Sequence, residues 1–104
     1  MPIKIPFEYY QELVLQWAKD RNLIEGSNPK DQFHKLIQEC AELSESICKG
    51  NDVDDDIGDI LVVLIILSEQ LGVNPVSCLA DAYYEIKDRK GVMRDGIFIK
   101  EGDL

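Results

Sequence analysis

Two carboxylate pairs at helical spacing, Glu39-x-x-Glu42 and Asp56-x-x-Asp59, are the side chains best suited to chemistry in this chain. Residues three apart share a helix face, so each pair presents two acids together. Ionised carboxylates are costly to bury unless a cation compensates them. All-oxygen ligand sets suit hard divalent ions, and Mg2+ sites of this kind usually keep waters and complete their shell with substrate phosphates. Four acids converging from two helices would hold Mg2+ or Mn2+. With two or more metals, such a site can clamp a phosphoanhydride and generate the nucleophile that attacks it. Lys87, Arg89 and Lys90 offer countercharge for phosphates. The competing reading is a solvated acidic helix surface, which one E-x-x-E alone would not displace. Here the second pair runs directly into an apolar helix, which weighs against it. A di-iron bundle wants Glu-x-x-His motifs; the lone histidine, His34, follows Asp31 by three residues and does not supply one.

The element that must position these acids is Asp52 to Leu67. Its first half is rich in carboxylate, which suits the positive end of a helix dipole. Ile60 to Leu67 then runs without a polar side chain. That run is too short for the roughly 20 apolar residues of a membrane span and predicts a core helix covered on nearly every side. At about 100° per residue the face of Asp56 and Asp59 continues into Ile60, Val63 and Leu67, so both carboxylates point towards the interior.

Three further helices are expected. Phe7 to Arg21 has helical spacing at Leu13, Val14, Trp17 and Ala18. Asn28-Pro29 is a cap and first-turn signal. It opens a helix that runs to Lys49 and stops at Gly50-Asn51, with Phe33, Leu36, Cys40, Leu43 and Ile47 as its apolar stripe. Lys35, Glu39 and Glu42 lie along the border of that stripe. Asn74-Pro75 repeats the start signal for a helix to about Lys90, closed by Gly91. Met1 to Pro6 reads as an extended lead-in. In the tail, Asp95-Gly96 between short apolar runs fits either a small hairpin or an arm packed on a partner. Four helices with short connections predict an all-α antiparallel four-helix bundle. The third helix is too apolar for one chain of 104 residues to cover, so a second subunit is expected to supply the rest.

Composition bounds the partners. Twenty acidic against eleven basic residues give a net charge of -9, which disfavours direct contact with nucleic acid or an anionic membrane and favours divalent cations. Three cysteines without C-x-x-C spacing suggest neither disulfides nor zinc. Cys40 and Cys48 read as free thiols filling apolar positions, consistent with a reducing cytoplasm. MPIKIPFEYY lacks the apolar region of a signal peptide. Length predicts one domain over residues 1–104, with a tail over 91–104.

The segments KLIQECAEL (Lys35 to Leu43), DDDIGDILVVLIILSEQLGV (Asp54 to Val73) and AYYEIKDRKGVMRDGIFIKE (Ala82 to Glu101) resemble the MazG family of all-α nucleoside triphosphate pyrophosphohydrolases. The resemblance covers about three quarters of the chain. The family pattern is E-x-x-E, a spacer, then E-x-x-D; Glu39, Glu42 and Asp59 match it. Asp56 stands where the family prefers Glu, Tyr84 stands near a frequent Asn, and Gln38 where many relatives carry a further Glu. The resemblance implies Mg2+-dependent hydrolysis of an NTP or dNTP to NMP and pyrophosphate. Glu39, Glu42, Asp56 and Asp59 would hold metal, and Glu39 would orient or deprotonate water. Lys35, Lys87, Arg89 and Lys90 would contact phosphates, and Trp17 and Tyr84 would stack on the base. It also implies a homodimer or homotetramer. The alternative is a catalytically weak metal- or nucleotide-binding helical module acting through a protein partner, for which the departures at Asp56 and Tyr84 speak.

Overall fold

The computed structural model describes residues 5–104, so part of the lead-in expected over Met1 to Pro6 lies outside the described residues. The chain is mostly helical and ends in a small two-stranded sheet. In order come α1 (Phe7–Asp20), α2 (Pro29–Lys49), α3 (Asp54–Gln70), α4 (Pro75–Ile86), β1 (Gly91–Arg94), β2 (Ile97–Lys100) and a short 3-10 turn, Glu101–Asp103.

Local chemistry sets the helix limits. At α2 the Asn28 side chain accepts from the Asp31 amide at 2.9 Å, with Pro29 following. The helix ends at Gly50, whose φ of 71° is the left-handed cap that glycine adopts without strain. Asn74 starts α4 by accepting from the amides of Val76 and Ser77 at 2.8 and 3.2 Å. α4 ends at Ile86, four residues before the expected Lys90, so the basic segment follows the helix instead of forming its last turn. Gly91 opens β1 instead of closing a helix.

The hairpin option for the tail is the one observed. β1 and β2 pair antiparallel with Val92 opposite Ile99, Met93 opposite Phe98 and Arg94 opposite Ile97. Asp95 and Gly96 have φ of 51° and 80°, as a two-residue turn with both central residues left-handed requires. A Cβ on Gly91 would collide with the Ile99 carbonyl and the Phe98 ring, which explains glycine there.

α3 is the hub. Its most extensive packing is with α2, less with α1 and least with α4. Val63, Ile65 and Ile66 of α3, with Leu15 and Ala18 of α1, form the buried apolar core. Gln70 ties the end of α3 to the α1–α2 loop by donating to the Ile24 carbonyl at 3.1 Å.

Three expectations about covered faces are corrected. On α2 the side turned to α3 is Gln32, Leu36, Glu39, Leu43 and Ser46, all at least partly buried. Glu39 therefore lies in the packed stripe, not on its border. The residues on the other side of the expected stripe, Phe33, Cys40 and Ile47, are exposed. All three cysteines are exposed free thiols, so Cys40 and Cys48 are not core fillers. On α1, Gln11, Leu15 and Ala18 are buried while Leu13 and Trp17 are not. α3 itself leaves Ile57, Leu61 and Leu64 open.

The molecule is correspondingly open. α4 leaves the axis of α3 at 100° and buries no residue. The radius of gyration is 16.7 Å, against roughly 13 Å for a compact chain of this length. Accessible surface is 8242 Å², where a compact monomer of 11.8 kDa exposes roughly 5,900 Å². Among the described residues no single helix is long and apolar enough to cross a membrane.

Candidate metal centre

The α2–α3 pair folds back on itself at Gly50–Val53, and this juxtaposes acids that are far apart in sequence. One carboxylate oxygen from each of Glu39, Glu42 and Asp59 lies within 4.8 Å of the others. Helical spacing puts Glu39 and Glu42 one turn apart on α2. Asp59 comes from the second turn of α3, where the chain passes from solvent into the core. Glu39 is 6% exposed, Asp59 half-buried and Glu42 exposed, so the group grades from the packed interface to solvent.

Charge compensation within the chain is incomplete. Lys35 Nζ lies 3.1 Å from Glu39 Oε1, one helical turn away. Glu39 Oε2 is buried without a hydrogen-bond partner. A buried carboxylate oxygen left unpaired is costly, and a bound cation would satisfy it. Three carboxylates are an acceptor set suited to a hard divalent ion, so the residues present fit Mg2+ or Mn2+.

Crowding shows in the proton affinities. The Glu42 carboxyl is pushed above its ordinary value first by a hydrogen bond with Glu39, then by the Glu39 charge, with Asp56 adding to the rise and Lys35 opposing it. Asp59 is raised chiefly by desolvation, then by the charges of Asp55, Glu39 and Asp56. Like charges that cannot disperse hold protons more tightly. A divalent cation would reverse that sign.

The expected residues are sorted by this geometry. Glu39, Glu42 and Asp59 come together. Asp56 is half-buried and stands outside that closest group, acting on it through its charge. Trp17 lines a cavity of about 420 Å³ with Tyr10, Leu13, Val14, Val62 and Asp59, so an aromatic wall adjoins one acid of the group. Arg21 stacks on the Trp17 ring, 4.6 Å from its centroid. Tyr84 is exposed on α4, edge-to-face with Tyr83. Lys87 pairs with Asp88 at 3.3 Å and Arg89 with Glu85 at 3.8 Å, partners on their own segment, and the Lys90 carbonyl accepts from the Glu101 amide. None of these four residues belongs to the acidic group.

Sequence reasoning missed Gln11 and Asp55. Gln11 is a buried polar residue on α1 whose Oε1 has no partner. Its signal was the i, i+4, i+7 set Gln11, Leu15, Ala18, masked because Leu13 and Trp17 gave a more apolar alternative face. Asp55 lies four residues before Asp59, the spacing that lets its charge reach that carboxylate.

No protein-family model and no solved structure matches the chain. Over 63 residues it is 44% identical to an uncharacterized 18.2 kDa protein from the rep-hol intergenic region of Haemophilus phage HP1. That match covers 59% of this chain and 39% of the phage protein.

Proposed function

We propose that the chain is a MazG-like, Mg2+-dependent nucleoside triphosphate pyrophosphohydrolase, converting an NTP or dNTP and water to the monophosphate and pyrophosphate. The observation that carries this reading is the convergence of Glu39, Glu42 and Asp59, in which Glu39 has a buried oxygen without a partner. Three clustered carboxylates repel a triphosphate, so an anionic substrate reaches this mouth only when a cation is held there. Glu39, Glu42 and Asp59 would hold it, with Asp56 adding charge at the rim. When bound, Mg2+ supplies Lewis-acid charge to phosphate oxygens and makes water a stronger acid at neutral pH.

The chain's own groups divide the remaining work. Glu39, fixed by packing and by Lys35, orients the site. Glu42 is the member of the group that reaches solvent, where an attacking water would enter, so we place proton acceptance from that water on Glu42 and a positioning role on the buried Glu39. The cavity beside Asp59 gives a base an apolar wall at Trp17 and Tyr10. Lys35, whose Nζ lies 3.1 Å from Glu39 Oε1, would be the phosphate contact nearest the acids. For Lys87, Arg89, Lys90 and Tyr84 to reach substrate, α4 must be brought to the site by assembly. In that assembly a second copy covers the open faces of α2 and α3 and completes a four-helix bundle, as homodimer or homotetramer.

The position of Asp56 outside the closest group favours a second reading, a module that binds metal or nucleotide but turns over weakly and acts through a protein partner. Glu42→Ala and Asp59→Ala separate the two. An enzyme keeps its fold and loses pyrophosphate release. A site that only stabilises loses its Mg2+-dependent gain in melting temperature without any turnover to lose.

A further inference from the structure

The hairpin lacks what a hairpin needs. A two-stranded sheet is at best marginal in water unless something covers a face. Val92, Ile97 and Ile99 occupy one face of this one, Met93 and Phe98 the other. Val92, Met93, Ile97 and Phe98 are all exposed, Met93 and Ile97 by about two thirds. It follows α4, itself without a buried residue. Both would be stable only against another surface.

That surface is present on the chain itself. Phe7, Leu61, Leu64, Ile65, Val76 and Leu79 line an apolar groove of about 310 Å³ between α3 and α4. Along α3 the stripe of Leu61 and Ile65 continues at spacings of three and four through Gly58 to Asp54, so the side of α3 that lines the groove leads on to the acidic first turn. The hairpin segment has the complementary charge. The hairpin, Gly91–Lys100, carries two basic residues, Arg94 and Lys100, and one acid, Asp95, whereas everything before Lys87 has six basic and sixteen acidic. The areas agree as well. The excess over a compact monomer is roughly 2,300 Å² per chain, within the range that an obligate homodimer buries from each copy.

We propose that β1–β2 is an arm that packs into the α3–α4 groove of a second copy of this chain, its basic side chains meeting the acidic start of that copy's α3. The proposal deepens the reading that copies associate, and is independent of catalysis. In a reciprocal pair each arm covers the other copy's groove, which is a closed, twofold arrangement.

The test uses the full chain with a photo-crosslinking phenylalanine analogue at Phe98. Unlabelled and 15N-labelled protein are mixed, left to exchange until native mass spectrometry shows mixed oligomers, and irradiated. The expected products join light to heavy chains, in about half of all crosslinks for random mixing, through peptides containing Leu61–Ile65 or Val76–Leu79. Crosslinks only within one isotope, or between copies but away from the groove, would overturn the arm and leave association by the helices standing. A protein that stays monomeric at high concentration would overturn both. Arg94→Glu with Lys100→Glu, checked for helix content by circular dichroism, provides an independent arm. Dimer dissociation should strengthen on the order of tenfold at low salt and change less at high salt. Equal dissociation of variant and parent at low salt would contradict the charge pairing.

Discussion

At the scale of single residues, the proposed chemistry rests on how three carboxylates are made to share one place. Glu42 and Asp59 bind protons more tightly in the folded chain than in an unfolded one. Their contribution to stability is therefore fully present below the ordinary carboxylate values and is lost as pH rises through the higher folded values. Without metal, the melting temperature should rise as pH falls from neutral into the mildly acidic range. Mg2+ should raise it at neutral pH and lose effect in acid, where protons compete for the same oxygens. Asp59→Asn should flatten both dependences in a thermal melt; a variant with the parent's pH and Mg2+ response would remove Asp59 from the site. Glu42→Gln should lower turnover about 10²- to 10⁴-fold, the range of a lost general base, while the far-ultraviolet spectrum stays unchanged. Asp56→Glu lengthens the reach by one methylene towards the group that Asp56 now misses; tighter Mg2+ binding by calorimetry is the expected result. The pairs Glu39-x-x-Glu42 and Asp56-x-x-Asp59 could be read from sequence because helical spacing fixes which acids share a face. The separate place of Asp56 could not, since it depends on the rotation of α3 against α2.

Among the elements, the punctuation of the chain was legible because it is local chemistry. Asn28-Pro29, Gly50, Asn74-Pro75 and Asp95-Gly96 each act through their own backbone, and each lies at the boundary it marks. Which face of a helix is buried is not local. Gln11 and Glu39 are buried while Trp17, Phe33 and Ile47 are exposed, because a polar residue in the stripe opposite α3 outranks an apolar one pointing away from it. Hydrophobic periodicity alone ranks these the other way. Two predictions belong here. Ile65→Ala removes a core side chain of the hub helix and should cost about 2–5 kcal/mol in denaturant unfolding. Asn74→Ala removes the cap of α4 and should cost about 1 kcal/mol, with less if α4 is already held by another copy.

For the whole molecule, excess surface and an extended radius describe an open chain with uncovered apolar faces. The second subunit proposed from the apolar length of α3 would also cover the open faces of α2, α3 and the hairpin. The melting temperature should therefore rise with protein concentration, as it does when association and folding are linked; a concentration-independent transition would mean that the monomer is the stable unit. Assembly and chemistry meet at one question, whether the acidic group serves hydrolysis. The most direct measurement is product analysis after incubation with a panel of NTPs and dNTPs, with Mg2+, Mn2+ or EDTA, beside Glu42→Ala. Equal amounts of monophosphate and pyrophosphate, dependent on metal and lost in the variant, are the predicted result. A folded, Mg2+-binding protein that leaves every nucleotide intact, or releases orthophosphate instead, would contradict the account.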